Sequence, residues 1–184
     1  MTFYRAAGKR FFDAVLSGFG FLLFGIPFLF IACRLRLQYG LPVFYRQKRI
    51  GYRGIAFEIL KFRTMSADGK ILSPWSQWLR GTALDELPQL IHILKGQMSF
   101  VGPRPLIPEE LDTIQRVFQG THRLLVRPGL TGLAQLYAAK IPPLPERLKW
   151  DIAYVRYYSF SMDMWLIFRS IYVTMQGMWE KERD

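Results

Sequence analysis

The chain has a single cysteine in 184 residues, so no intrachain disulfide is open to it. Cys33 reads as a small apolar side chain in a protein kept in a reducing compartment. Acids are scarce too: 14 Asp and Glu face 25 Lys and Arg, leaving a formal net charge of +11. There is no internal repeat and no low-complexity tract. Zinc-finger, homeodomain and RNA-recognition signatures are missing, and the basic residues are dispersed between apolar stretches, so nucleic acid is not an expected partner. A Walker loop, with its lysine and hydroxyl at fixed spacing, is missing as well.

What is present is apolar bulk, with 51% hydrophobic and 16% aromatic residues in a length that fits one domain. Rings and cations together suit a membrane surface, where apolar faces enter lipid and Lys and Arg meet anionic headgroups. Phe11 to Cys33 is a run of 23 residues with one charged side chain, Asp13, long enough for a bilayer of ~30 Å. Aromatic bulk in place of a small-residue cleavage site argues against a signal peptide. Arg5, Lys9 and Arg10 precede the run, and Arg34 and Arg36 follow it. Positive charge on both flanks asks for both ends on the cytoplasmic side, which a straight span cannot give. Pro27 removes a backbone donor and crowds the preceding turn, so the helix is expected to break there and turn back. The reading is a re-entrant membrane segment over residues 1–36 and a membrane-associated cytoplasmic domain over residues 37–184. An ordinary Pro-kinked span is the alternative. Asp13 lies one turn after Arg10 and is expected to pair with it.

In the second part, apolar residues of Val43–Gln47 and Ile55–Phe62 flank Gly51-Tyr52-Arg53-Gly54, a hairpin pattern. Lys61 and Arg63 then share one face of an extended strand while Phe62 takes the other. Two like charges at that spacing suit a pyrophosphate, or simply a solvated face. Ser66–Ser76 reads as a loop. Thr82–Leu94 reads as one helix capped by Thr82 or Asp85, with Gly96 just past its end. Pro88 fits only a first turn, which sets Asp85 and Glu86 at the positive end of that helix. Two adjacent carboxylates among so many cations can hold a divalent metal and attack phosphorus; they also suit the helix dipole without any chemistry. Arg80 sits one turn upstream, and His92 reads as a core histidine.

Two Arg-Pro turns follow. Arg104 stands between Pro103 and Pro105, where a fixed backbone can preorganise a guanidinium for phosphate. Arg127 begins Arg127-Pro128-Gly129-Leu130-Thr131-Gly132, whose glycines are expected to let backbone amides approach an anion. From Pro145 onward, Trp150, Tyr154, Tyr157, Tyr158, Trp165, Phe168, Tyr172 and Trp179 alternate with Arg156, Arg169 and Lys181. They are expected to form interfacial amphipathic helices, with core packing as the alternative. The fold class is therefore α+β: a membrane-embedded re-entrant helical hairpin joined to a small, mostly helical domain with a short β-hairpin.

Taken in order, several blocks resemble the bacterial sugar transferase family of monotopic phosphoglycosyl transferases. They are Lys9-Arg10-Phe11-Phe12-Asp13, the Pro27 break, Gly40-Leu41-Pro42-Val43-Phe44 with Gln47, Arg49 and Gly51, and Lys61-Phe62-Arg63-Thr64-Met65. Leu84-Asp85-Glu86-Leu87-Pro88-Gln89, Met98-Ser99-Phe100-Val101-Gly102-Pro103-Arg104-Pro105, Arg127-Pro128-Gly129-Leu130-Thr131-Gly132 and Asp151 with Tyr154 follow. The resemblance is to the small, core-only members, since larger ones carry further helices and a domain for which no room is expected here.

It implies transfer of a sugar-1-phosphate from a UDP-sugar to undecaprenyl phosphate at the cytoplasmic face of the bacterial inner membrane. Asp85 would be nucleophile and magnesium ligand, Glu86 base or proton carrier, and Lys61, Arg63, Arg80, Arg104 and Arg127 phosphate contacts. The partners would be those two substrates and the bilayer, and the sequence leaves a homo-oligomer open. Two departures stand out: Ile26-Pro27 where Ser-Pro is common, and Leu133-Ala134-Gln135 where Trp-Ala-Gln is common. A non-catalytic scaffold of a glycan-assembly complex is the competing reading.

Overall fold

Helix α1 spans Lys9–Tyr39 in a computed structural model that describes residues 4–118, 122–137 and 143–176. Its 31 residues make a rod of about 46 Å. The expected break at Pro27 is not seen as an interruption, because the helix is continuous through that residue. A proline inside a helix forfeits one i→i−4 hydrogen bond, here the one to Leu23, and the ladder resumes on either side. The boundary expected after Arg36 consequently falls inside this helix.

One stripe of α1 is covered and the rest is bare. Asp13, Ser17, Ile31 and Leu35 are buried, with Phe21 and Phe28 partly so, a spacing of three, four or seven residues that marks one helix face. On the other side Leu22 and Ile26 are 85% and 82% exposed. Polar contacts pin both ends of the rod to the same body. At the first end, Arg10 donates to the carbonyls of Ile93 and Leu94, and Asp13 accepts from Ser99 Oγ (3.0 Å) and the Phe100 amide (3.1 Å). Asp13 thus serves the strand Ser99–Val101 rather than Arg10, since both side chains find groups of neighbouring elements that sequence spacing does not reveal. At the second end, Arg63 donates to the carbonyls of Tyr39 (2.7 Å) and Leu41 (3.3 Å), and Arg34 lies 4.3 Å from the Trp75 ring centre.

Strands β1 (Phe44–Ile50) and β2 (Ala56–Phe62) form the expected antiparallel hairpin, pairing Phe44 with Phe62 and Ile50 with Ala56. Phe57 and Ile59 bury one face of β2, and Lys61 continues that face. Phe62 points to the other, where it meets Ile31, Leu35 and Leu79.

Helix α2 (Pro74–Gly81) starts inside the stretch read as loop. Ser73 accepts from the Ser76 amide (3.1 Å) and Pro74 occupies the first turn, a Ser-Pro start signal within that polar stretch. The single helix expected over Thr82–Leu94 is instead a 3-10 turn, Leu84–Gln89, leading into a short helix α3, Leu90–Leu94. Thr82 is not a forward cap; its hydroxyl donates back to Trp78 (2.8 Å), and neither it nor Asp85 is the residue before the turn, which is Ala83 in the left-handed region at φ 54°. Pro88 cannot donate to Leu84, which favours the tighter turn. Gly96, at φ 79°, ends α3 as expected. His92 is a core histidine: Nε2 accepts from the Leu60 amide (3.2 Å) and Nδ1 faces Gln97 Oε1 (2.7 Å), while burial pushes its pKa down.

Strands β3 (Ser99–Val101) and β4 (Gly129–Thr131) pair in parallel, followed by α5 (Leu133–Tyr137). Between β3 and β4 lies α4 (Pro108–Thr113). Helices α6 (Leu144–Tyr157) and α7 (Phe160–Met175) close the body. The aromatic run divides. Tyr154 is core, donating to Val101 (3.0 Å) and Asp163 (2.7 Å), whereas Tyr157, Trp165, Phe168 and Tyr172 are at least half exposed. Trp179 and Lys181 lie outside the described residues.

Candidate active site

The 3-10 turn Leu84–Gln89 packs against the end of β2, and its period of three residues sets Glu86 and Gln89 on one edge. Both line a small open cleft, with Lys61 from β2, Arg49 from β1, and Arg104 and Pro105 from the turn after β3. Glu86 and Lys61 form an ion pair, each side chain 18% exposed. Asp85 precedes Glu86 and is 5% exposed, buried with Pro88 and Gln89.

Three cations and one carboxylate therefore face the cleft. Burial and the neighbouring Arg104 both lower the pKa of Arg49. Arg49 Nη2 donates to Gln47 Oε1 (2.5 Å) and Nη1 to the Pro105 carbonyl (3.2 Å). Its Nε, and the Nε2 of Gln89, have no hydrogen-bond partner among the described residues. Gln89 is 2% exposed, so its amide is a buried donor in a cleft with an excess of positive charge. Such a wall is made for an anion, which would satisfy the donors and relieve the repulsion at once.

Sequence reasoning thus brought Lys61, Glu86 and Arg104 to the same cleft but gave no role to Arg49 or Gln89. The other expected phosphate contacts do not line this cleft, and each has partners within the protein. Arg63 holds carbonyls at the end of α1. Arg80 reaches the Met65 sulfur at 3.2 Å. Arg127 donates Nε–H to the Gly96 carbonyl (2.8 Å) and stands 5.2 Å from the Tyr52 ring centre.

The glycine expectation also changes. The Gly129 amide donates to Pro103 (3.0 Å) and the Gly102 amide to Thr131 (2.9 Å). These groups join the two Arg-Pro turns instead of facing an anion.

No group of three or more His, Cys, Asp or Glu able to hold a metal occurs among the described residues. The adjacent acids fit one metal habit, that of magnesium, which takes one or two carboxylates and completes its shell with water and substrate phosphates.

A cationic cleft faced by one carboxylate, with a second buried next to it in sequence, suits chemistry on phosphoryl groups. Residues 4–177 match the bacterial sugar transferase family, and the chain belongs to it. It is an enzyme, a phosphoglycosyl transferase. Among its relatives is the exopolysaccharide production protein ExoY of Rhizobium meliloti (strain 1021), 34% identical over 89% of this chain and 83% of the relative. The uncharacterized sugar transferase EpsL of Bacillus subtilis (strain 168) is 34% identical, covering 85% and 81% respectively. The UDP-glucose:undecaprenyl-phosphate glucose-1-phosphate transferase of Escherichia coli (strain K12) is 32% identical over 89% of this chain and 39% of its own length.

Proposed function

We propose that this enzyme moves a sugar-1-phosphate from a UDP-sugar to undecaprenyl phosphate and releases UMP, a first membrane step of bacterial glycan assembly. The observation that carries the reading is the cleft itself, where Arg49, Lys61 and Arg104 outnumber Glu86 beside the buried Asp85. An Asp85 oxygen attacks the sugar-bearing phosphorus, and the bond from that phosphorus to the UMP oxygen breaks. The lipid phosphate then attacks the same phosphorus, its proton passing to Glu86, and Asp85 is restored. Lys61 orients Glu86, and Arg49, Arg104 and Gln89 hold the phosphoryl oxygens. Magnesium, held by Asp85, would supply further charge neutralisation on the donor's diphosphate. The test is UMP release from a panel of UDP-sugars given undecaprenyl phosphate and magnesium. Turnover with one of them is expected. A chain that docks on membranes yet turns over none would be a scaffold.

The same reading puts the enzyme on the cytoplasmic face of the inner membrane, entered by α1 from one side only. Its support is the anchoring of both ends of α1 to one body, so a span would have to drag that body through lipid. In a Cys33→Ser background, Ala7→Cys and Leu37→Cys should both escape a membrane-impermeant maleimide added outside intact cells. Modification of either residue from outside would rule out the one-sided arrangement.

A further inference from the structure

The turn bearing Arg104 has four successive carbonyls, Pro103 to Leu106, and each accepts a hydrogen bond. The Gly129 amide donates to Pro103 (3.0 Å) and the Ile50 amide to Leu106 (2.8 Å). Arg49 donates to Pro105 (3.2 Å). The remaining carbonyl, that of Arg104 itself, is held by Arg123 Nη2. Arg123 is 4% exposed, and its other terminal nitrogen lies 3.0 Å from Asp151 of α6, which is 2% exposed.

A buried ion pair is a weak source of stability, because desolvation of both charges offsets their attraction. Its more informative property here is position. Asp151 attracts one arm of a planar fork by charge, without an aligned hydrogen bond, and the other arm holds the backbone of the residue whose side chain lines the cleft. Pro103 and Pro105 have no amide hydrogen, so this segment is steered almost wholly through its carbonyls.

We infer that Arg123, oriented by Asp151, is a positioning residue that sets the Arg104 guanidinium against the donor's phosphate. The inference rests on the reading of Arg104 as a phosphate contact. Arg123 touches neither substrate nor the reacting atoms. Arg123→Lys keeps a cation for Asp151 but has no second arm for the Arg104 carbonyl.

A double-mutant cycle with Arg104→Lys tests it, measured as kcat/KM for the UDP-sugar in lipid-reconstituted enzyme, with thermal midpoints recorded for each variant. Arg104→Lys should lower kcat/KM steeply, and Arg123→Lys should lower it by about 10–100-fold, the scale of a misplaced binding group. The double variant should fall no more than about threefold below Arg104→Lys alone, because the device has nothing left to position. Losses that multiply, or a normal Arg123→Lys beside an impaired Arg104→Lys, would overturn the inference and leave the parent reading standing. A normal Arg104→Lys would remove both. If Arg123→Lys does not fold, Asp151→Glu, which keeps the charge and shifts the pivot by one methylene, takes its place in the cycle with the same expected and overturning results.

Discussion

Incubated with its UDP-sugar and no lipid acceptor, the wild-type enzyme should release one equivalent of UMP and keep a covalent sugar phosphate. Asp85→Asn should do neither. The amide cannot attack phosphorus, and it binds magnesium far less well than a carboxylate does. Kinetics should be ping-pong, since the first product leaves before the second substrate binds. Glu86→Gln should slow turnover by about 10²–10⁴-fold, the usual contribution of a positioned proton carrier, while the covalent label still forms. The change also ends the ion pair with Lys61, so some lowering of the melting midpoint should accompany it. Mass spectrometry of the intact protein separates the outcomes. UMP that appears only when lipid is present would leave the acids as metal ligands for direct transfer.

The second large effect concerns stability. A methyl group at Gly129 would lie 2.1 Å from the Gly102 amide nitrogen, 2.5 Å from the Thr131 carbonyl oxygen and 2.7 Å from that of Gly102. All three atoms are backbone, so no side chain can swing aside. Gly129→Ala must push the two Arg-Pro turns apart and break the β3–β4 pairing. A loss of at least ~3 kcal/mol, the upper part of the range for overpacking, should lower the melting midpoint by roughly 6–12 °C. Gly25→Ala is the control, because a methyl there meets no atom within 4 Å. A variant Gly129→Ala that melts with wild type would show that the two turns are not locked together.

Much of this architecture could be read from the chain. Gly51 to Gly54 between alternating apolar runs announced the hairpin, Gly96 announced a helix end, and the apolar segment after Arg10 announced α1. Local patterns were enough because each of these features is set by neighbours in sequence. The acid pair was legible for the same reason. What could not be read was which oxygen each arginine would meet. Arg63 and Arg127 found carbonyls at the ends of α1 and α3, while Arg104 reached the cleft, yet all three look alike in a basic, proline-punctuated sequence. A guanidinium binds a helix-end carbonyl as readily as a phosphate oxygen, and only tertiary contacts decide between them. Arg49 and Gln89 were missed for the converse reason, since burial made them candidates and burial is not a sequence property. The helix expected over Thr82–Leu94 failed at Pro88, where the missing amide favoured a 3-10 turn over a first α-helical turn.

The stripe of α1 against the body is shared core: Ile31 and Leu35 pack with Phe62 and Leu79, and Phe21 packs against Phe57, Ile59 and Met98. Phe62 immediately follows Lys61, and Leu90 immediately follows Gln89, so the side chains that touch this helix neighbour the cleft in sequence. Deleting α1 would not leave a self-sufficient enzyme; it would strip the core behind the cleft of one of its packing faces. On the proposed membrane placement, the altitude of the cleft above the acyl chains is likewise not set by a tether. It would follow from the surface that holds the core together, so the proposed long-tailed acceptor would meet the acids at one fixed height.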